Sequence, residues 1–230
     1  MPRWRAVVLD LDDTLYPEAA FVRSGFRAVA DWASERTGVP AEEAEAELVA
    51  LFEGGVRGDT FDQWVAARGI GDHVAVDDLV AAYRAHAPDI APDPAAAALL
   101  RGLRAEGAAL GLLSDGDPGI QGRKLNALGL RDAFDAVVVT GELGAGAGKP
   151  SPRGYVEVLR RLGGIPSKEA VYVSDNPAKD FLGARRAGMR SVRVRRPDGV
   201  YAALDPVTPE HAADAEVSGL GEVAATLDGI

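Results

Sequence analysis

Short apolar runs recur along the chain. Residues 6–11 (AVVLDL), 109–114 (ALGLLS), 136–140 (AVVVT), 170–174 (AVYVS) and 191–194 (SVRV) are rich in β-branched and aliphatic side chains. Each is too short for a helix and reads as a strand. Helical spacing fills the gaps. Leu99, Leu100 and Leu103 mark one helix, and Ile120, Leu125 and Leu128 a second. Tyr155, Val158, Leu159 and Leu162 mark a third, and Phe181, Leu182, Ala184 and Ala187 a fourth. Strand and helix in alternation predict an α/β fold: a doubly wound, Rossmann-like parallel sheet covered on both faces.

One stretch breaks the alternation. Between Tyr16 and Ile90 only helical patterns occur. Phe21, Phe26, Val29 and Trp32 fit one helix, and Ala44, Leu48, Leu51 and Phe52 another. Phe61, Trp64 and Val65 fit a third, and Leu79, Val80 and Tyr83 a fourth. The stretch is too long for a simple crossover. It predicts an α-helical cap over 16–90, inserted into an α/β core made of 1–15 and 91–230. The proline-rich 87–94 (APDIAPDP) is the expected return to the core.

Composition adds exclusions. A formal net charge of −10 disfavours a nucleic-acid partner, whose backbone an acidic surface repels. It leaves small anionic substrates open, because a site can be locally positive or hold a cation. Cysteine is absent, so thiolate chemistry and disulfides are excluded, and a cytoplasmic location is the expectation. The opening Met1-Pro2-Arg3-Trp4-Arg5 is basic, but carboxylates arrive at Asp10, Asp12 and Asp13, too early for a signal peptide. No membrane-spanning run is visible.

The strand ends carry the candidate chemistry. The first strand runs into Asp10-Leu11-Asp12-Asp13-Thr14, and the second into Ser114-Asp115-Gly116. A glycine-rich loop after the third leads to Lys149-Pro150. The fourth runs into Ser174-Asp175-Asn176-Pro177-Ala178-Lys179-Asp180. Open parallel sheets bind ligands beyond the carboxyl ends of their strands. Taken alone, the first cluster could be a solvated acidic turn, Ser114 a helix cap and Lys149 an exposed loop lysine. Together, carboxylates suit a hard divalent cation, whereas a hydroxyl, amides and an ammonium suit phosphate oxygens. The loop 144–149 (GAGAGK) is no Walker loop: Leu143 stands where glycine is required, and Pro150 where serine or threonine is. A flexible loop presenting Lys149 is the expectation.

These four motifs, in this order, resemble the haloacid dehalogenase superfamily, in particular its phosphatases. The resemblance covers about residues 6–194. It implies that Asp10 is the nucleophile that takes the phosphoryl group and Asp12 the general acid and base. It implies Mg²⁺ held by the Asp10 carboxylate, the Asp12 backbone carbonyl and Asp175. Ser114, the amides from Asp115 onward and Lys149 would clasp the phosphoryl group. Asp180 would position Lys149 or a metal-bound water, and Thr14 would brace the nucleophile loop. Asp13 is expected to be structural or solvated, and Asp115 and Asp117 to cap the next helix.

Asp12 favours phosphate over organohalide, because a departing halide needs no proton. The cap has no lysine for a Schiff base. A sugar phosphomutase and a non-catalytic phosphometabolite-binding protein remain as alternatives. The expected substrate is a small phosphorylated metabolite, a sugar phosphate or a nucleoside monophosphate. The cap aromatics are expected to form a core. Arg23, Arg27, Arg57 and Arg68 are candidate anion contacts or a solvated face, and Arg123 and Lys124 are candidates to approach the cleft. His73, His86 and His211 are expected to be surface or incidental residues. The sequence leaves the oligomeric state open.

Overall fold

The computed structural model describes residues 4–230, so the first three residues of the basic opening lie outside the described residues. The chain divides into two compact units: residues up to Glu18 together with Ala91–Ile230, and Ala19–Ile90.

The first unit is a six-stranded, all-parallel sheet in the order β3-β2-β1-β4-β5-β6. The strands are β1 (Ala6–Leu9), β2 (Ala109–Ser114), β3 (Ala136–Val139), β4 (Ala170–Ser174), β5 (Arg190–Val194) and β6 (Ala215–Val217). Alternate residues of the central strands face opposite ways. Ala6, Val8, Leu113 and Tyr172 pack with Tyr155, Val158 and Leu159 of α7 (Arg153–Arg161) and with Ala184 of α8 (Asp180–Arg186). Helices α5 (Ala96–Ala105) and α9 (Val223–Leu227) touch one another, α5 also contacting β2 and α9 contacting β5 and β6. Helix α6 (Pro118–Ala127) follows β2, with Asp117 as its N-cap accepting from the Ile120 amide at 2.9 Å.

This topology places the strand order's reversal at β1, whose Leu9 pairs with Leu112 on one side and Val173 on the other. Chains leaving β1, β2 and β4 therefore open onto one crevice. β1 stops at Leu9 rather than at Leu11, because the backbone turns there. Asp13 adopts a left-handed φ of 51°, and Leu15 N bonds back to Leu11 O at 2.9 Å. Thr140, expected at the end of the third strand, instead starts a 3₁₀ turn over Thr140–Leu143. The edge strand β6 was not expected; its three residues carry too little pattern to be read from sequence.

The second unit holds α1 (Glu18–Thr37), apart from its first residue, with α2 (Ala41–Glu53), α3 (Thr60–Arg68) and α4 (Val76–Ala85). Phe26, Val29, Leu48, Trp64, Val65 and Leu79 form its own core, with Trp32, Phe52, Phe61 and Tyr83 packed against it. Gly69, in the left-handed conformation at φ 63°, ends α3. His86 does not lie at the surface. It is buried, its Nδ1 lies 2.6 Å from Tyr83 O, and its ring packs against Phe21 and Tyr83. The sequence shows no metal-ligand spacing around it and gives no sign of this packing.

Arg23, Arg27, Arg57 and Arg68 each have partners within this unit. Arg23 pairs with Glu53 and Arg27 with Glu45, while Arg57 donates to the Phe52 and Val56 carbonyls and lies over the Phe52 ring. Arg68 reaches Glu43 and Glu47, and Trp64 Nε1 shares Glu47 at 2.9 Å, which ties α2 to α3.

Candidate active site

Asp10 follows β1 directly, and its amide still bonds to Val173 O at 2.9 Å, so the sheet itself fixes it. Its carboxylate is buried. Lys149 Nζ lies 3.0 Å from Asp10 Oδ1 and 2.9 Å from Asp180 Oδ1, and donates to Tyr172 Oη at 2.8 Å. Ser174 Oγ donates to Asp180 Oδ2 at 2.7 Å, and lies 3.2 Å from Asp10 Oδ2. Burial pushes the Asp10 carboxyl up to about 6; Lys149 opposes this and Asp180 adds to it. Asp10 and Asp180 in turn hold the Lys149 ammonium well above its usual range, against the burial that disfavours it. The third-motif lysine is therefore a buried cation rather than an exposed loop residue.

Oxygens of Asp10, Asp175 and Asp180 lie within 4.8 Å of one another. Asp175 Oδ2 is buried and has no hydrogen-bond donor among the described residues. Burial, then the charges of Asp10 and Asp180, raises its carboxyl to about 9. Three crowded carboxylates, one with an orphaned oxygen, fit a hard divalent cation with oxygen ligands. Asp12 does not add its side chain to this cluster.

That side chain points elsewhere. Lys124 Nζ lies 2.7 Å from Asp12 Oδ1, Gln121 Nε2 donates to Oδ2 at 2.9 Å, and Tyr16 Oη donates to Oδ1. Burial would raise the Asp12 carboxyl, but the Lys124 charge and the three hydrogen bonds outweigh it, and the group sits below its usual value. Gln121 also donates to Ser114 Oγ at 2.6 Å, and so spans the first and second motifs. Gln121 and Lys124 stand one turn apart on α6, which begins just past Ser114. That spacing was the available signal for Gln121; Lys124 was singled out, with Arg123, for following the second motif closely. Tyr16, Glu18 and Tyr201 also line the region but were not anticipated. The Glu18 carboxylate makes no hydrogen bond or ion pair to a described residue, and burial with the nearby Asp12 raises it to about 7.

Asp13 has the structural place expected of it: its carboxylate accepts from Glu18 N at 2.7 Å and Val200 N at 2.6 Å. Thr14 is buried, but its hydroxyl has no hydrogen-bond partner among the described residues, so no brace through that atom is present. Asp115 does not cap α6, which Asp117 does alone. Its Oδ1 accepts from Thr140 Oγ1 at 2.9 Å and Lys149 N at 3.1 Å, and its Oδ2 from Lys179 Nζ at 2.9 Å. The glycine-rich loop is tied rather than loose: Arg153 donates to Leu143 O at 2.6 Å and to Ala145 O at 3.0 Å. Buried Arg193 closes the far side, bonding Asp175 O, Tyr201 O and Leu204 O at 3.0, 2.9 and 2.8 Å.

Asp10, Asp12, Ser114, Asp115, Lys149 and Asp175 thus line one cavity of about 290 Å³, with Glu18, Gln121, Lys124, Lys179 and Tyr201. Asp180 lies beneath it. A buried carboxylate at a strand end, a carboxylate cluster suited to a cation and three lysines at one cavity are the chemical groups that phosphoryl transfer calls on.

The family model for haloacid dehalogenase-like hydrolases matches residues 4–188. The chain belongs to the haloacid dehalogenase superfamily, in its phosphatase branch. It is 35% identical to a glyceraldehyde 3-phosphate phosphatase of Methanopyrus kandleri, over 93% of this chain and 92% of that one. It is 43% identical to a phosphoserine phosphatase of Thermus thermophilus, over 56% of this chain and 49% of that one. The crystal structure of a phosphatase of the same superfamily from Thermococcus onnurineus superimposes with a TM-score of 0.64 at 27% identity, covering 98% of each chain. Among the described residues, no helix is long and apolar enough to cross a membrane.

Proposed function

We propose that this protein is a Mg²⁺-dependent hydrolase of small phosphomonoesters that works through an aspartyl-phosphate on Asp10. The observation that carries the reading is the buried Asp10 carboxylate, shared between Lys149 and the carboxylates of Asp175 and Asp180. The Asp10 carboxylate, the Asp12 backbone carbonyl and Asp175 would hold the ion, with Asp180 beside them. Bound there, Mg²⁺ would supply positive charge between an anionic nucleophile and an anionic substrate.

Asp10 attacks phosphorus, and the P–O bond to the leaving group breaks. Lys149, Ser114 and the amides from Asp115 onward hold the equatorial oxygens. Asp12 delivers a proton to the departing oxygen and then takes one from the water that cleaves the aspartyl-phosphate. Its bonds to Lys124, Tyr16 and Gln121 aim the carboxylate and favour its ionised form, the form that the second step requires. The sugar phosphomutase alternative shares these groups and differs in returning the phosphoryl group to a second hydroxyl.

The cavity is small, and the relatives are named for short phosphorylated compounds, which supports a short leaving group. We further propose that Ala19–Ile90 is the cap that selects it. Turnover of a phosphometabolite panel with Mg²⁺ tests the reading, with three-carbon phosphates compared against sugar phosphates and nucleoside monophosphates. Hydrolysis should stop with excess chelator and return with Mg²⁺. Full activity in verified metal-free protein, or transfer to a second hydroxyl in place of release of phosphate, would overturn it.

A further inference from the structure

Three lysines reach the cavity, and they are not equivalent. The Lys149 side chain is 1% exposed and is held between Asp10 and Asp180. The Lys124 side chain is 6% exposed and is committed to Asp12. The Lys179 side chain is 34% exposed, at the cavity wall beside Asp115, Asn176 and Asp175. It pairs with the Asp115 carboxylate, Nζ lying 2.9 Å from Oδ2. The other oxygen of that carboxylate is occupied by Thr140 Oγ1 and the Lys149 amide. Asp115 therefore joins the end of β2, the residue after β3, the lysine loop and the loop after β4, and it holds the Lys179 ammonium at the cavity from one side.

All three ammonium groups face carboxylates, but Lys124 and Lys149 are buried against theirs, and Lys179 is the cation that solvent and an incoming phosphate dianion can reach. Lysine suits this task as a point charge with three rotatable donors, able to keep one bond to Asp115 while another turns to a phosphate oxygen. Resting on the phosphatase reading above, we propose that Lys179 is a second phosphate-binding ammonium, mounted on Asp115, that captures the substrate's phosphoryl oxygens before Lys149 acts on them. Asp115 is then a positioning residue through its side chain, in addition to the phosphate contact expected of its amide.

The test is the affinity of the full-length protein for inorganic phosphate, measured by calorimetry with Mg²⁺ at two ionic strengths. A charged hydrogen bond lost from the complex predicts binding weakened about ten-fold to a hundred-fold in Lys179→Met. Lys179→Gln should behave like Lys179→Met. Lys179→Arg should keep most of the affinity, and the salt dependence of binding should shrink in both uncharged variants. Asp115→Asn keeps an acceptor for Thr140 and the Lys149 amide but removes the ion pair, so it should cost less than Lys179→Met. If Lys179→Met binds phosphate within about two-fold of the parent, the proposal fails. It also fails if Asp115→Asn reproduces the whole loss, with the double variant no worse than either single one, because Lys179 would then serve only as a counter-ion. Lys179 is partly exposed and outside the hydrophobic core, and the Arg and Gln variants decide the matter should the Met variant misfold. Hydrolysis of the phosphometabolite panel by the parent protein is scored separately. Phosphate binding that depends on Lys179 without any turnover would sink the phosphatase reading alone, and turnover with an indifferent Lys179 would sink this one alone.

Discussion

Asp10 and Asp12 stand two positions apart at one strand end, yet their surroundings give them opposite tendencies. Asp10 is buried among carboxylates with Lys149 and is raised to about 6; Asp12 is lowered by Lys124, Tyr16 and Gln121. Asp10→Asn removes the nucleophile and should abolish turnover. Asp12→Asn should lower it by about 10²–10⁴-fold, most for alkoxide leaving groups and least for a nitrophenolate. Mass spectrometry of Asp12→Asn after exposure to substrate should find phosphate on Asp10. Phosphate on another residue, or near-normal turnover by Asp10→Asn, contradicts the assignment. The raised carboxyls also set a pH dependence. Where a folded-state pKa exceeds the unfolded one, the folded protein binds more protons, and stability falls as pH rises between the two values. Burial and like charge put Asp175 at about 9 and Asp10 at about 6, so protein held in chelator should melt lower at pH 8 than at pH 6 from these groups. A cation displaces those protons, and the gain in melting temperature from Mg²⁺ should be larger at pH 8. Equal gains at both values would count against a carboxylate cation site. The motif residues were legible in the sequence because each lies at a strand end or in the loop that follows it, and the sheet converts strand ends into neighbours. Gln121 and Lys179 were not, because their significance lies in partners far along the chain: Gln121 meets Asp12, and Lys179 meets Asp115, only once the strands are in register.

Helices were legible in the same way and for a stated reason: a buried stripe repeats each turn, so Leu99, Leu100 and Leu103 or Tyr155, Val158 and Leu159 announce their elements. What periodicity cannot announce is how closely two elements approach. Helix α8 carries Asp180 at its first position and lies against Tyr155 of α7, whose hydroxyl donates to Asp180 O at 2.7 Å. A side chain at Gly183 would meet the Tyr155 ring at 2.5 Å, so glycine is required there by contact. Gly183→Ala should push α8 from α7 and move Asp180 away from Lys149. Overpacking of this kind typically costs about 1–3 kcal/mol, so the unfolding midpoint in urea should fall, with Mg²⁺-dependent turnover falling alongside it. Adding Tyr155→Leu makes room and should recover part of the midpoint while the bond to Asp180 O stays lost. A Gly183→Ala protein with the parent's midpoint would mean that α8 does not rest on Tyr155 as closely as described. The short strand β6 and the burial of His86 escaped the sequence for a related reason. Three residues hold no period, and a histidine between two aromatic rings has no pattern of its own.

At the scale of the whole chain, among the described residues one hydrophobic cluster joins β1–β4 to α7 and α8 and another joins α1–α4, and the two share no member. Within the sheet-containing unit, Asp93 N bonds to Leu15 O at 2.8 Å, which ties the segment after residue 90 to the one before residue 19. Every carboxylate of the cation cluster belongs to the sheet-containing unit. A ligand stabilises what it binds, and segments open independently when their cores are separate. Mg²⁺ alone, without phosphate, should therefore slow amide hydrogen exchange in β1, β4 and the start of α8, and leave α2 and α3 exchanging at their metal-free rates. The measurement is segment-resolved exchange on the unmodified protein with Mg²⁺ and with chelator. Protection that rises equally in both units would show that they open as one cooperative body, and the separate cores would then not be separate in energy. Protection confined to α1–α4 would place the ion elsewhere and remove the physical basis for Asp10, Asp175 and Asp180 as its site.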